Sequence, residues 1–168
     1  MAVVRPVAVT NTSPIIALVG VGRLDLFGVL FERVIVPFEV WSELTDKSNA
    51  AEPPRVVELP NAYFLPAPLM VPGQDVLDFP AGLHAGERAA ISLAKAHGAW
   101  ALLDDGEARR TATRLGLFVK GTLGILIQGK RAGAVAAVRP LVEAMIANGC
   151  RFAPGLVEEV LRAVGEGG

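Results

Sequence analysis

Short uninterrupted apolar runs alternate along this chain with segments in which apolar residues recur every third or fourth position. The runs at 7–9, 33–36, 100–103 and 117–119 show no polar alternation, the pattern of strands covered on both faces. Between them the spacing predicts helices over 15–19, 24–31, 86–97, 105–115, 123–130, 134–147 and 154–163, with one more opening at Pro37. Ala89, Ala90, Leu93 and Ala94 form a small-residue stripe on the 86–97 helix, which lets a helix lie close to a sheet. Strands and helices taking turns in this way predict a single α/β domain over 1–168. Its expected form is a three-layer α/β/α sandwich with a mainly parallel central sheet and right-handed crossovers.

Two stretches depart from the alternation. Residues 48–82 hold seven of the twelve prolines, which predicts an irregular excursion with an edge-strand fragment at 63–65. It is too apolar around 65–77 for a disordered linker. Residues 165–168, mostly glycine, are expected to fray.

Composition narrows the class. Apolar residues make up 52% of the chain and the mean hydropathy is +0.45, yet no run nears the eighteen residues of a membrane-spanning helix. Arg5 and Pro6 interrupt the first apolar run, unlike a signal peptide, so a cytoplasmic location is expected. The excess apolarity implies thick burial or a patch that docks on another chain. Cys150 is the sole cysteine, which excludes an internal disulfide and a cysteine metal cluster. A net charge of −1 and a pI near 6.1 exclude holding nucleic acid by bulk electrostatics. A nucleic-acid enzyme of this composition needs local basic residues and a bound cation.

Candidate chemistry sits where the apolar runs stop. The run at 100–103 ends in Asp104 and Asp105, at the strand end beyond which open α/β sheets bind ligands. A helix cap uses one of two adjacent acids and leaves the other over. Asn11 occupies a strand-to-helix corner in Thr10-Asn11-Thr12-Ser13-Pro14, Glu43 shares a helix flank with Glu39, and Glu87 lies in the first turn of the 86–97 helix. Singly, these have ordinary readings: Asn11 as a cap, Glu43 as a solvated acid, Glu87 as an acid favoured by the helix dipole.

Taken together, the order and setting resemble the PIN-domain nucleases. The pieces that carry the likeness are Thr10-Asn11-Thr12-Ser13-Pro14, Val36-Pro37 leading to Glu43-Leu44, Gly86-Glu87-Arg88-Ala89-Ala90, Leu103-Asp104-Asp105 with Ala108-Arg109, and Gly121-Thr122-Leu123-Gly124. The resemblance implies separated acids gathered around a divalent cation and RNA as substrate. It also implies similarity to the toxin half of prokaryotic toxin–antitoxin pairs, with a homodimer and a small antitoxin protein covering the site. This chain has Asn11 where the PIN pattern has aspartate, a neutral carbonyl oxygen with one less charge to hold the cation.

Elementary electrostatics agrees with that picture. Two carboxylates about 5 Å apart repel by roughly 3 kcal/mol at an effective dielectric near 20, so a converged set is costly until a cation joins it. Oxygen-only donors favour Mg²⁺ or Mn²⁺ over zinc. Glu87 and Asp105 are expected on the metal, Asn11 as a weaker or water-mediated ligand, Glu43 behind them or on a second ion, and Asp104 as a further metal ligand, or else orienting a ligand or capping the helix. Thr12, Ser13 and Thr122 offer hydroxyls to ligands or phosphate, and Arg109, Arg110, Arg114 and Lys120 offer charge to a phosphate backbone.

Two other motifs fail on inspection. Gly124 to Lys130 has phosphate-loop spacing, but Arg131 stands where a Ser or Thr is needed and the middle is an apolar helix. Ser13 and His84 lack a nucleophile elbow. The leading expectation is a Mg²⁺- or Mn²⁺-dependent PIN-like ribonuclease. Its rivals are a PIN-fold binding module whose metal site Asn11 weakens, and a phosphatase or nucleotide-binding protein using the same acids.

Overall fold

The computed structural model describes residues 4–45, 64–66 and 77–168. Most of the 48–82 excursion therefore lies outside the described residues. Among them are five strands, β1 (Val7–Thr10), β2 (Arg33–Val36), β3 (Phe64–Pro66), β4 (Trp100–Leu102) and β5 (Val119–Lys120). The eight helices are α1 (Thr12–Gly20), α2 (Asp25–Leu30), α3 (Phe38–Thr45), α4 (Ala85–His97), α5 (Gly106–Arg114), α6 (Thr122–Arg131), α7 (Arg139–Ala147) and α8 (Leu156–Ala163). The strands pair in parallel in the order β3-β2-β1-β4-β5.

Side chains of the inner strands are divided between two cores. Ala8, Val34, Val36 and Leu102 face one, with Leu18, Phe27, Leu126 and Met145 from the helices. Val9, Ile35, Ala101 and Leu103 face the other, with Ala90, Leu93, Ala108 and Ala112 of α4 and α5. The inner strands are thus apolar through their middles, with polar residues only at their ends (Thr10, Arg33), because successive side chains serve opposite layers, the three-layer sandwich the runs predict. Phe27 and Phe31 meet edge to face at 6.3 Å in the first core, each contributing roughly 1.5–3 kcal/mol by full burial.

Chain direction across the sheet positions the site. From β1 the chain steps outward to β2 and β3, then returns to place β4 on the other side of β1. The amide of Asn11 continues the ladder by donating to Leu102 O at 3.0 Å. Residues just past β1 and just past β4 therefore share the crevice at the topological switch.

Several boundaries differ from the sequence expectation. The strand expected at 117–119 is β5 at Val119–Lys120, because Ala101 pairs with Val119. The helix expected over 134–147 begins only at Arg139. Pro140 lies in its first turn, where a missing N–H costs nothing.

Glu166 fixes that start and corrects the expectation of a frayed tail. Its carboxylate accepts from Val138 N at 2.8 Å, Arg139 N at 3.1 Å and Lys130 Nζ at 2.8 Å, while Arg139 Nη2 donates to its carbonyl at 2.6 Å. The glycines beside it only allow the chain to turn back. Lys130, then the two amides, hold the Glu166 carboxyl down at about 2, against an ordinary 4.5. A depressed acid contributes stability above its unfolded pKa and loses it on protonation. We expect Glu166→Gln to flatten the decline in melting temperature between about pH 4.5 and pH 2; an unaltered acid branch would count against the clamp.

Candidate active site

Four side chains come to the switch crevice, from the end of β1, from α3, from the first turn of α4 and from the cap of α5. Asn11 precedes α1 in extended conformation (φ −85°, ψ 177°), yet its side chain makes no capping bond. It is 7% exposed. Glu43, on α3, accepts from Thr12 Oγ1 at 2.5 Å. Glu87 sits in the first turn of α4, 7% exposed, and its Oε2 accepts from His84 N at 3.0 Å. Asp105 caps α5 by accepting from Ala108 N at 2.9 Å.

Gly86 shows how close these groups come. A methyl group there would lie 2.8 Å from Glu43 Oε1 and 3.1 Å from Asn11 Oδ1, tighter than packed atoms tolerate. Two oxygen donors from α3 and the end of β1 thus converge on a space that exists because residue 86 has no side chain. Glu87 feels the same crowd. Burial, then the charges of Asp105 and Glu43, push its carboxyl above the ordinary value against the opposing His84 amide bond. Asp105 and Glu43 are therefore both within electrostatic reach of Glu87.

The other acid of the pair is structural. Asp104 accepts from Thr122 N at 2.7 Å through Oδ1 and from Thr122 Oγ1 at 2.6 Å through Oδ2. It ties the end of β4 to the start of α6. The sequence expectation is thus inverted in part: Asp105 is the cap, and Asp104, expected as a metal ligand, has both oxygens engaged. The hydroxyls of Thr12 and Thr122 likewise serve Glu43 and Asp104, not a free phosphate site.

The basic residues divide. Arg109 donates to Leu103 O at 3.2 Å and, with Asp104, flanks Gly121. Arg110 is exposed beside Gly106, and Arg114 bonds Thr111. Lys120 departs from expectation, with its ammonium 5.1 Å from the ring centroid of Trp100 at the amino end of β4. Ser13 lines a cavity of about 300 Å³ with Asp104, Cys150, Arg151 and Phe152. A second, of about 500 Å³, shares Asp104, Arg151 and Phe152 and adds Arg109. Two features take on a role only in three dimensions: Gly86, which in the sequence opens a helix, and Arg151-Phe152, which in the sequence reads as a turn or edge fragment.

The donors fit a hard divalent cation in kind. They are carboxylate and amide oxygens, one donor pair is cradled at a glycine, and the buried Glu87 stands to gain from a positive charge. Among the described residues, no three Asp, Glu, His or Cys side chains cluster closely enough to hold an ion by themselves. The side-chain oxygen of Asn11 is the neutral donor that would supplement the acids.

A parallel sheet ordered 3-2-1-4-5 with acids gathered at its switch point defines an α/β domain of the PIN type. The chain belongs to the PIN-domain family, since the family model DUF3368, a PIN domain, matches residues 7–166. Comparisons with curated proteins and with solved structures return no match. Among the described residues no helix is long and apolar enough to cross a membrane.

Proposed function

We propose that this protein is a Mg²⁺- or Mn²⁺-dependent PIN-domain ribonuclease, the toxin component of a toxin–antitoxin pair. The observation that carries this reading is the approach of Asn11 Oδ1 and Glu43 Oε1 to one space beside Gly86, with buried Glu87 in the next position. Asn11, Glu43, Glu87 and Asp105 would hold the ion. When bound, it lowers the pKa of a water and neutralises charge on the phosphate. The chain supplies the rest. Thr12 orients Glu43, His84 N–H orients Glu87, and the Ala108 amide orients Asp105. Arg109 and Arg151 line the adjoining cavities as cations for a phosphate backbone, and Phe152, packed against the core, lines them as well. A homodimer and a small antitoxin protein belong to this reading, and Phe38, 60% exposed at the start of α3, offers an apolar surface near Glu43 for such a partner.

The test is cleavage of labelled single-stranded RNA with Mn²⁺ and with EDTA. Cleavage that persists in EDTA refutes the metal-dependent reading. The second reading, a PIN-fold binding module, is favoured by the neutral amide at position 11. Asn11→Asp adds a charge to the donor set and is expected to tighten Mn²⁺ binding by about tenfold, the worth of about 1.4 kcal/mol. Unchanged or weaker binding in calorimetry would remove residue 11 from the site.

A further inference from the structure

Against α2, α6 and the amino ends of β1 and β4 lies a cavity of about 690 Å³ that contains none of the proposed metal donors and meets the Arg109 cavity only at Lys120, Gly124 and Ile127. Its wall includes Arg5, Trp100, Lys120, Gln128 and Arg131, with apolar surface from Leu30 and Ile127, and no acid lines it. Arg131 is close enough to Lys120 to oppose its charge, beside the larger effect of burial. Among the described residues, neither they nor Arg5 has a carboxylate partner. Gln128 adds an independent sign, because its Oε1 is buried without a hydrogen-bond partner among the described residues. Buried acceptors are rarely left so. Trp100 is braced by Phe118, stacked at 5.2 Å, and by the Lys120 ammonium. The aromatic wall is therefore fixed in place.

We propose that this cavity binds a nucleotide, its phosphate facing Lys120, Arg131 and Arg5, and its base on the apolar wall with an exocyclic amine donating to Gln128 Oε1 after a rotation of the side-chain amide that brings this shielded oxygen to the cavity. The volume suits a ligand of that size. Like-charged cations facing one cavity lose their mutual repulsion to an anion. An unpaired amide oxygen selects a ligand carrying an N–H. A simple phosphate would leave Gln128 unanswered, and an apolar ligand would leave the cations so.

The occupant is either a free nucleotide or one unit of an RNA strand, and two probes separate them. Adenosine 5′-monophosphate is titrated against the full chain in EDTA, followed by calorimetry and tryptophan fluorescence, with a short oligoadenylate in parallel. We expect saturable binding that weakens about tenfold or more in Arg131→Glu and in Gln128→Leu, with ribose 5-phosphate at least as much weaker on the unmodified protein. Both variants are first checked by circular dichroism for an unchanged fold. Binding of the mononucleotide identifies a free ligand, and binding of the oligonucleotide alone, with the same dependence, identifies a strand. Absence of binding by both, or binding indifferent to both substitutions, overturns the proposal. Because the titration is made in EDTA, its outcome stands apart from that of the metal site.

Discussion

Glu87→Gln is expected to lower metal-dependent RNA cleavage by about a hundredfold or more, the kinetic equivalent of roughly 3 kcal/mol of lost charge stabilisation. Glutamine keeps the volume and can still accept from His84 N, so α4 should begin where it does now. What it removes is the charge that burial, Asp105 and Glu43 oppose. An acid raised on folding costs stability where it is ionised, so the metal-free variant should melt at or above the temperature of the parent near neutral pH. Its melting temperature should no longer rise with Mn²⁺. Cleavage at the parental rate with a retained Mn²⁺ response would place the chemistry elsewhere.

Gly86→Ala has the second largest expected effect and relies on no change of charge. Alanine is favoured over glycine within a helix by about 0.5–1 kcal/mol, and Gly86 lies in α4 without a positive φ. The metal-free protein should therefore lose little, since the nearer obstacle is the exposed end of Glu43. Asn11 is buried and cannot withdraw as easily. The added methyl separates the two donors, and Mn²⁺ affinity should fall about ten- to hundredfold, as when a ligand's support is disturbed. Parental affinity in this variant would show that Asn11 and Glu43 do not act together.

How much of this could be read from the sequence follows from the range of each interaction. The runs ending at Val9, Val36 and Leu103 announce themselves because both faces of a parallel strand are buried, a local signature. Asn11, Glu87 and Asp105 stand at strand ends or first helical turns, which are also local signatures, so their gathering is legible once the sheet is parallel; Glu43, in the last turn of α3, is joined to them through Thr12 on another helix. The division of labour between Asp104 and Asp105 is not, because it is decided by Thr122, an amide and hydroxyl on another element. Lys120 reads as a cation beside the acids, but the direction of its side chain depends on Trp100 across the sheet. The start of α7 is hidden for the same reason. Apolar periodicity continues upstream of Arg139, and the group that stops it is Glu166, far along the chain. Gly86 is silent in one dimension, since the absence of a side chain acquires meaning only when Glu43 and Asn11 are seen around it.

The bond from the Asn11 amide to Leu102 O joins two strands that lie about ninety residues apart in the sequence, so the later one must be translated before the contact can form. A nascent polypeptide still lacking β4 has Asn11 but neither the wall nor the acids that follow that strand. Whatever chemistry this crevice performs is consequently withheld until β4 and the acids behind it have joined the sheet, a delay set by the order of the strands alone.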